Sequence, residues 1–397
     1  MAPVRLRRLG VLDWISVGLL ALGLLFVVTG LLPAAAARES VDRIAPLLLF
    51  LCGVVVLAEL TKEAQVFDVV ATRLAIVGRG SYAVLFVLCT AFASLVTIFL
   101  NLDTTAVLLT PVMLALAPRA EIAPMPLAMT TVWLANTASL LLPVSNLTNL
   151  LAVSRVASGT REFAARMWAP ALAAVSVTMA FLWIFYWRRG ERGDDRYVPP
   201  PAPAIADRTL FAVAAAACVV FAGAILAGAP IEAAALVAAV AVVVAFVRRD
   251  RKRLGWGLIP WRLLVFVTGL FLVVPTLGRF GLESVMSTII GQDGAGDGAF
   301  RAAAAGAGLS NVVNNLPAYV AGEQVIPAGH HVPLLSLLIG VNLGAVATPW
   351  GSLATLLWFE WCRRWDVRVP VGKFILTGAG LAVTGVAAAV TALLLTA

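Results

Sequence analysis

Two stretches of the chain gather residue types that can hold a polar solute without any fixed charge. Asn136–Leu151 reads NTASLLLPVSNLTNLL and Asn342–Leu357 reads NLGAVATPWGSLATLL. Set in register, Asn136 falls on Asn342, Pro143 on Pro349, Leu147 on Leu353 and Asn149 on Thr355, and a Leu-Leu pair closes each stretch. The candidate binding residues are Asn136, Thr137, Ser139, Pro143, Ser145, Asn146 and Asn149 in the first, and Asn342, Gly344, Thr348, Pro349, Gly351, Ser352 and Thr355 in the second. Amides and hydroxyls both donate and accept hydrogen bonds. A proline removes one N–H and clashes with the preceding turn, which frees backbone carbonyls for a cation or a polar solute. Ahead of each stretch lies another polar group. NLDTTA supplies Asn101, Asp103, Thr104 and Thr105, and NVVNNLP supplies Asn311, Asn314 and Asn315. With Asn101 set on Asn311, Asp103 meets Val313, so only one of the two groups brings an acid.

The elements that must position these residues are membrane spans. Of the 397 residues, 61% are hydrophobic and 13% charged, against roughly 25% charged in a soluble domain. Apolar runs of bilayer-crossing length, roughly 20 residues, recur along the chain, which is therefore expected to be an all-α polytopic membrane protein. The formal charge of +8 then marks cytoplasmic loops, and no basic stripe interleaved with aromatics suggests nucleic acid. Ordinary spans are expected at 12–32, 44–61, 168–187, 208–228, 230–247, 261–280 and 371–395. Residues 122–154 and Val332–Phe359 carry no charge, yet as straight helices they would reach about 50 and 42 Å across a core of about 30 Å. Each is too long for one crossing, and each holds its proline in a polar cluster. Broken helices are expected at 124–157 and 332–360.

Counting crossings from an N-terminus held inside by Arg5, Arg7 and Arg8 fixes the rest. The Arg-rich loops 188–208 and 248–253 both fall inside only if 81–117 enters and leaves by one face as a re-entrant hairpin. The same count makes 299–322 a hairpin from the opposite face. The expected plan is an N-terminal half at 1–190, a cytoplasmic linker at 191–207 and a C-terminal half at 208–397, with the halves inverted as in many secondary transporters.

NLDTTAVLLTP, NTASLLLPVSNLTNLL, SNVVNNLPA and above all NLGAVATPWGSLATLLW resemble the arsenite efflux permeases (the ArsB family) of the ion transporter superfamily. The resemblance covers nearly the whole chain. It implies an inverted-repeat fold with two re-entrant hairpins, located in the cytoplasmic (cell inner) membrane. It implies export of arsenite, antimonite or another small oxygen-bearing solute, driven by protons or through a soluble ATPase partner. No G-x-x-x-x-G-K-[ST] loop occurs here, so that ATPase would be a separate chain. A homodimer stays open. Two readings from the same superfamily also stay open: a sodium-coupled carrier of small dicarboxylates or other anions, and a sodium–proton antiporter. Neither the hairpin tips nor the broken stretches hold a Lys or Arg before Arg155, which points away from a charged carboxylate. An enzyme is not expected, since neither H-E-x-x-H nor G-x-S-x-G occurs and the two histidines are adjacent. No cofactor or metal is implied.

Asp103 is the one acid between Arg79 and Arg119, and an intramembrane carboxylate is a functional candidate by default. It is the candidate for proton coupling, with Glu59 next. Glu232, Glu283, Glu323 and Glu360 are expected near water at span ends. Trp14, Trp168, Trp183, Trp187, Trp256, Trp261, Trp361 and Trp365 are expected in the interfacial belt, and His330 and His331 in an outer loop. Trivalent arsenic binds sulfur strongly, but Cys52, Cys89, Cys218 and Cys362 are scattered, and a triple-thiolate trap would not release its cargo. A variant with all four cysteines replaced is expected to keep conferring arsenite resistance on sensitive cells. Complete loss of resistance at normal membrane expression would contradict this.

Overall fold

A computed structural model describes residues 11–188, 196–291 and 297–396. Among them the structure is all-helical, and seven helices are long and apolar enough to cross a membrane. Arg5, Arg7, Arg8 and the first part of the linker lie outside the described residues.

The chain opens with α1 (Val11–Val28), α2 (Ala34–Glu63) and α3 (Val66–Val77). A hairpin follows. Its first arm is α4 (Tyr82–Leu100), and its second comprises α5 (Leu102–Thr104), a π-helical turn at Thr105–Leu109 and α6 (Thr110–Arg119). The first broken helix is α7 (Pro124–Thr137) and α8 (Leu147–Val156), and α9 (Thr160–Leu182) ends this part. Then come α10 (Arg208–Ala227), α11 (Ile231–Arg249), α12 (Trp261–Leu277) and α13 (Glu283–Ile290). The second hairpin is α14 (Asp297–Val313) and α15 (Asn315–Glu323). The second broken helix is α16 (His331–Gly344) and α17 (Leu353–Arg364), and α18 (Val371–Thr396) closes the chain.

Both breaks fall where length and proline require them. Pro143 sits in a 3₁₀ turn between α7 and α8, and Pro349 lies in the irregular stretch between α16 and α17. Several boundaries differ from those expected. α2 runs from Ala34, well before residue 44, and carries Pro46 inside it. The stretch after it forms α3, whose Val66, Phe67, Val69, Ala71 and Ala75 are buried. The span expected at 261–280 ends at Leu277 and continues through a kink at Phe280 and Gly281 into α13.

Packing is reciprocal. α1 lies along α12 and α2 along α11, and the hairpin segment 102–109 packs on α17 while α15 packs on α8. Each hairpin thus meets the C-terminal half of the broken helix that lies farther away in sequence. Apolar side chains gain little from leaving lipid, so helices in a bilayer associate through close fit, which favours small residues. The α14–α16 contact shows this. Gly340 and Gly344 face Ala303 and Ala307, and a Cβ at Gly340 would lie 2.0 Å from the Ala303 carbonyl oxygen. This approach sets the second hairpin against α16 on either side of Asn342. Gly340→Ala is therefore expected to destabilise the protein by about 1–3 kcal/mol through overpacking. Gly223→Ala in α10, where a Cβ meets nothing within 4 Å, should leave stability unchanged or raise it. Thermal unfolding in detergent distinguishes the two.

Candidate functional site

The two breaks and the two hairpin turns supply the site. Asn146 is the N-cap of α8 and its Oδ1 accepts from the Thr148 amide at 3.2 Å. Ser352 is the N-cap of α17 and its Oγ accepts from the Thr355 amide at 3.1 Å. Capping oxygens of this kind satisfy amides that the helix itself leaves unpaired. The caps occupy matching places in the two stretches, so the register from Asn136–Asn342 to Asn149–Thr355 holds in three dimensions.

Asn342, fully buried in α16, is the hub. Its Oδ1 accepts from Asn146 Nδ2 at 2.9 Å and from the Thr148 hydroxyl at 3.0 Å, and its Nδ2 donates to Asn149 Oδ1 at 3.2 Å. The equivalent Asn136 in α7 donates to the Thr355 hydroxyl at 3.4 Å. Asn342 with Asn149 and Asn136 with Thr355 are thus one contact made twice, once in each direction between the repeats. Asn149 also donates to the Ser139 and Leu142 carbonyls at 2.6 and 3.0 Å, which repairs the first break directly. Thr137 accepts from Thr178 on α9 at 2.9 Å, and Ser145 donates to the Ile98 carbonyl at 2.9 Å. Every hydrogen bond in this cluster joins amides, hydroxyls and backbone carbonyls. The buried Asn136 Oδ1 and Thr104 Oγ1 have no hydrogen-bond partner among the described residues.

The hairpin turns share one backbone conformation. Asn101 has φ 78° and ψ 166°, and Asn314 has φ 83° and ψ 156°. That region belongs almost entirely to glycine and costs a side chain on the order of 1–3 kcal/mol. The match corrects the register of the tips: Asn101 falls on Asn314, not Asn311. The residue opposite Asp103 is then Leu316 rather than Val313, and the chemical asymmetry stands. Asn101 Oδ1 caps the Thr104 amide at 3.0 Å, and Thr105 donates to the Asn101 carbonyl at 2.8 Å. Asn311 serves another purpose. It donates to the Ala307 and Gly344 carbonyls at 2.8 Å each and accepts from Thr348 at 2.7 Å, tying α14 to the second break. The Asn315 amide donates to the Gly351 carbonyl at 2.9 Å. The Asn314 side chain is half-buried and donates to the Trp350 carbonyl at 3.1 Å.

Asp103 is half-buried and makes no hydrogen bond or ion pair among the described residues. It lines a cavity of about 500 Å³ together with Thr104, Glu59, Glu360, Arg262, Arg364, Trp261 and Trp361. Glu59 is held by Lys62 at 3.3 Å, and Arg364 pairs with Glu360. The cavity is thus a charged vestibule reaching the first hairpin tip. No local pattern marks Glu59 and Asp103 as sharing it.

Other expectations need correction. Glu323 is not near water: its side chain is 2% exposed and pairs with Arg43. A lone acid among small residues at a helix end carries no mark of that burial. Trp187 is not in a belt either. It is fully buried, with Nε1 donating to Thr130 at 2.9 Å. Trp14, Trp168, Trp256, Trp261 and Trp365 are exposed. His331 opens α16. The cysteines are free thiols on four separate helices, α2, α4, α10 and α17.

Comparison with known proteins agrees with this architecture. Residues 9–330 match the family model of the citrate transporters, CitMHS. The arsenical pump membrane protein of Yersinia enterocolitica is 29% identical over 82% of this chain and 80% of its own length. That of Escherichia coli strain K12 is 28% identical over the same shares. Among solved structures, the YdaH transporter of Alcanivorax borkumensis, described as having an unusual topology, superposes with a TM-score of 0.53 over 97% of each chain at 15% identity. That likeness concerns the fold alone.

Removing the hub should cost more than removing its counterpart. Asn342→Ala removes a hydrogen bond from three buried side chains, of which Asn146 keeps a 3.4 Å bond to Ser139, and is expected to lower stability by about 2 kcal/mol or more. Asn136→Ala removes bonds to the Val132 carbonyl, at 2.9 Å within its own helix, and to the Thr355 hydroxyl, which keeps its bond to Ser352 at 2.9 Å, and should cost less. Equal melting temperatures for the two variants would contradict the hub assignment.

Proposed function

The chain belongs to the citrate transporter (CitMHS) family and is a multi-pass membrane transporter, and we propose that within that family it exports trivalent arsenic and antimony hydroxides. The observation that carries the proposal is the centre made only of amides, hydroxyls and carbonyls. These hydroxides are uncharged at neutral pH and offer O–H donors and oxygen acceptors, which Asn136 Oδ1 and Thr104 Oγ1 can meet. A multivalent carboxylate would need a cation beside it, and Arg155, the nearest basic residue in the broken stretches, is occupied with backbone carbonyls at 2.5 and 2.6 Å. The pump relatives are named for arsenicals, which favours the same reading.

The sidedness belongs to the proposal. The halves 1–190 and 208–397 would lie inverted in the inner membrane around a cytoplasmic linker at 191–207, with the N-terminus inside. Reciprocal packing of α1 on α12 and α2 on α11 supports this division. The vestibule would then open to the cytoplasm, and Asp103 would load and release the coupling proton.

A second reading has its own support. Arg262 and Arg364 line the vestibule, the helices α8 and α17 turn their N-termini towards the breaks, and the family description names citrate. Together these fit a sodium-coupled carboxylate carrier.

Everted membrane vesicles separate the two readings. Radiolabelled arsenite should accumulate without sodium, collapse with the proton gradient, and resist competition by citrate or succinate. Sodium-dependent citrate uptake with no arsenite uptake would establish the second reading instead. Within the favoured reading, Asp103→Asn keeps shape but cannot titrate. It is expected to abolish gradient-driven uptake in proteoliposomes while arsenite counterflow persists. Wild-type gradient-driven transport in that variant would remove Asp103 as the coupling group and leave Glu59 to be tested.

A further inference from the structure

A second buried polar group lies at the base of the second hairpin, away from the amide cluster. Glu323 is the last residue of α15. Arg43 of α2 reaches both of its carboxylate oxygens, at 2.9 and 3.1 Å. Arg155, in the last turn of α8, donates to the Glu323 and Ile326 carbonyls at 2.5 and 2.6 Å. Arg43 also lies over the Phe271 ring of α12, 5.9 Å from its centroid. The base of this hairpin is therefore gripped by two guanidinium groups, both contributed by helices of the other repeat.

The first hairpin is anchored differently. Residues of the linker itself run beneath its base, where the Tyr197 amide donates to the Gly80 carbonyl at 3.4 Å and the Val198 amide to the Ala120 carbonyl at 3.0 Å. The buried Tyr197 ring packs edge-on to Tyr82, and its hydroxyl donates to the Ala75 carbonyl at 2.5 Å. The strap is plugged by a tyrosine that is 2% exposed, whereas the ion pair has one partner, Arg43, whose side chain is 41% exposed and within reach of water. Buried pairs add little net stability over apolar packing, and their best-attested use is in registry or switching.

We propose that Arg43 and Arg155 are positioning residues for transport: they latch the base of the 297–323 hairpin against α2 and α8 through Glu323 and its backbone, and the latch opens and re-forms in each cycle. The proposal rests on the transporter reading but on no particular solute. A single reporter cysteine at Ala318→Cys, buried on α15, and a control at Ala117→Cys, buried on α6, are made in a background with the four native cysteines replaced. Labelling by a membrane-impermeant maleimide is followed in proteoliposomes. Arg43→Gln and Glu323→Gln are each expected to raise labelling at position 318 by about tenfold, the ratio set by ~1.4 kcal/mol, and to leave position 117 unchanged. The double substitution should add nothing further, and Arg43→Lys should restore the slow rate. Gradient-driven accumulation should fall while counterflow persists. Wild-type labelling in both variants would overturn the latch, as would an equal rise at both reporters, which signals general loosening. Because labelling needs no solute, selective opening in vesicles that transport no arsenite would leave the latch standing and remove the solute assignment.

Discussion

Everything in this fold answers to one constraint: a helix interrupted in hydrocarbon exposes amides and carbonyls that no water can satisfy. The chain breaks two helices and then repairs each break with side chains. Asn149 covers the carbonyls of Ser139 and Leu142, Asn146 and Ser352 cap the helices that restart, and Asn311 covers Gly344. Because Asn342 bonds to Asn146, Thr148 and Asn149 while Asn136 bonds to Thr355, the repair also joins the repeats. The residues proposed to bind the solute are therefore the ones that hold the repeats together. The tight glycine–alanine contact of α14 with α16 allows the second hairpin to approach this repair closely enough to share it.

The repeats agree in backbone and differ in chemistry. Both hairpins turn through an asparagine in a glycine-like conformation, and both broken helices restart from a polar cap. Yet one tip carries Asp103 where the other carries Leu316. One base is held by a strap from the linker region and the other by Arg43 and Arg155. Symmetry of frame lets two conformations be close in energy, as alternating access requires. The differences in side chain are what could give such a cycle a direction.

The breaks were legible because three independent signals coincided: a proline, a charge-free length that overshoots the bilayer, and matched polar positions 206 residues apart in register. The hairpins were legible from charge parity alone. Their mutual register was not, because aligning the first asparagine of each tip uses residue identity, whereas the turn is defined by φ and ψ at Asn101 and Asn314. α3 escaped notice since Lys62, Glu63 and Asp68 interrupt the apolar pattern there, and its burial comes from α2, α4 and α6 packed over it. Glu323 and Trp187 were misjudged for the same reason: position near a helix end says nothing about what packs over it. The shared vestibule of Glu59 and Asp103 depends on how α2 meets the first hairpin, which no local pattern encodes.

Charge is distributed in layers, and the layering bears on mechanism. Amides and hydroxyls occupy the breaks, Asp103 stands at the boundary, and Glu59, Glu360, Arg262 and Arg364 line the vestibule beyond it. A fixed charge among the amides would bind an ionic solute tightly, but it would need its own counter-charge whenever the site was empty. A neutral centre avoids that cost and releases its solute as readily as it takes it up. In the proposed exporter, coupling then falls to a group that borders the centre without belonging to it. Asp103 meets that condition: it stands two residues after the strained Asn101, precedes the π-turn at Thr105–Leu109, and faces the cavity with no partner among the described residues. Within that proposal a change of its charge acts on the hairpin tip itself, and the gradient drives the cycle without altering the groups proposed to select the solute.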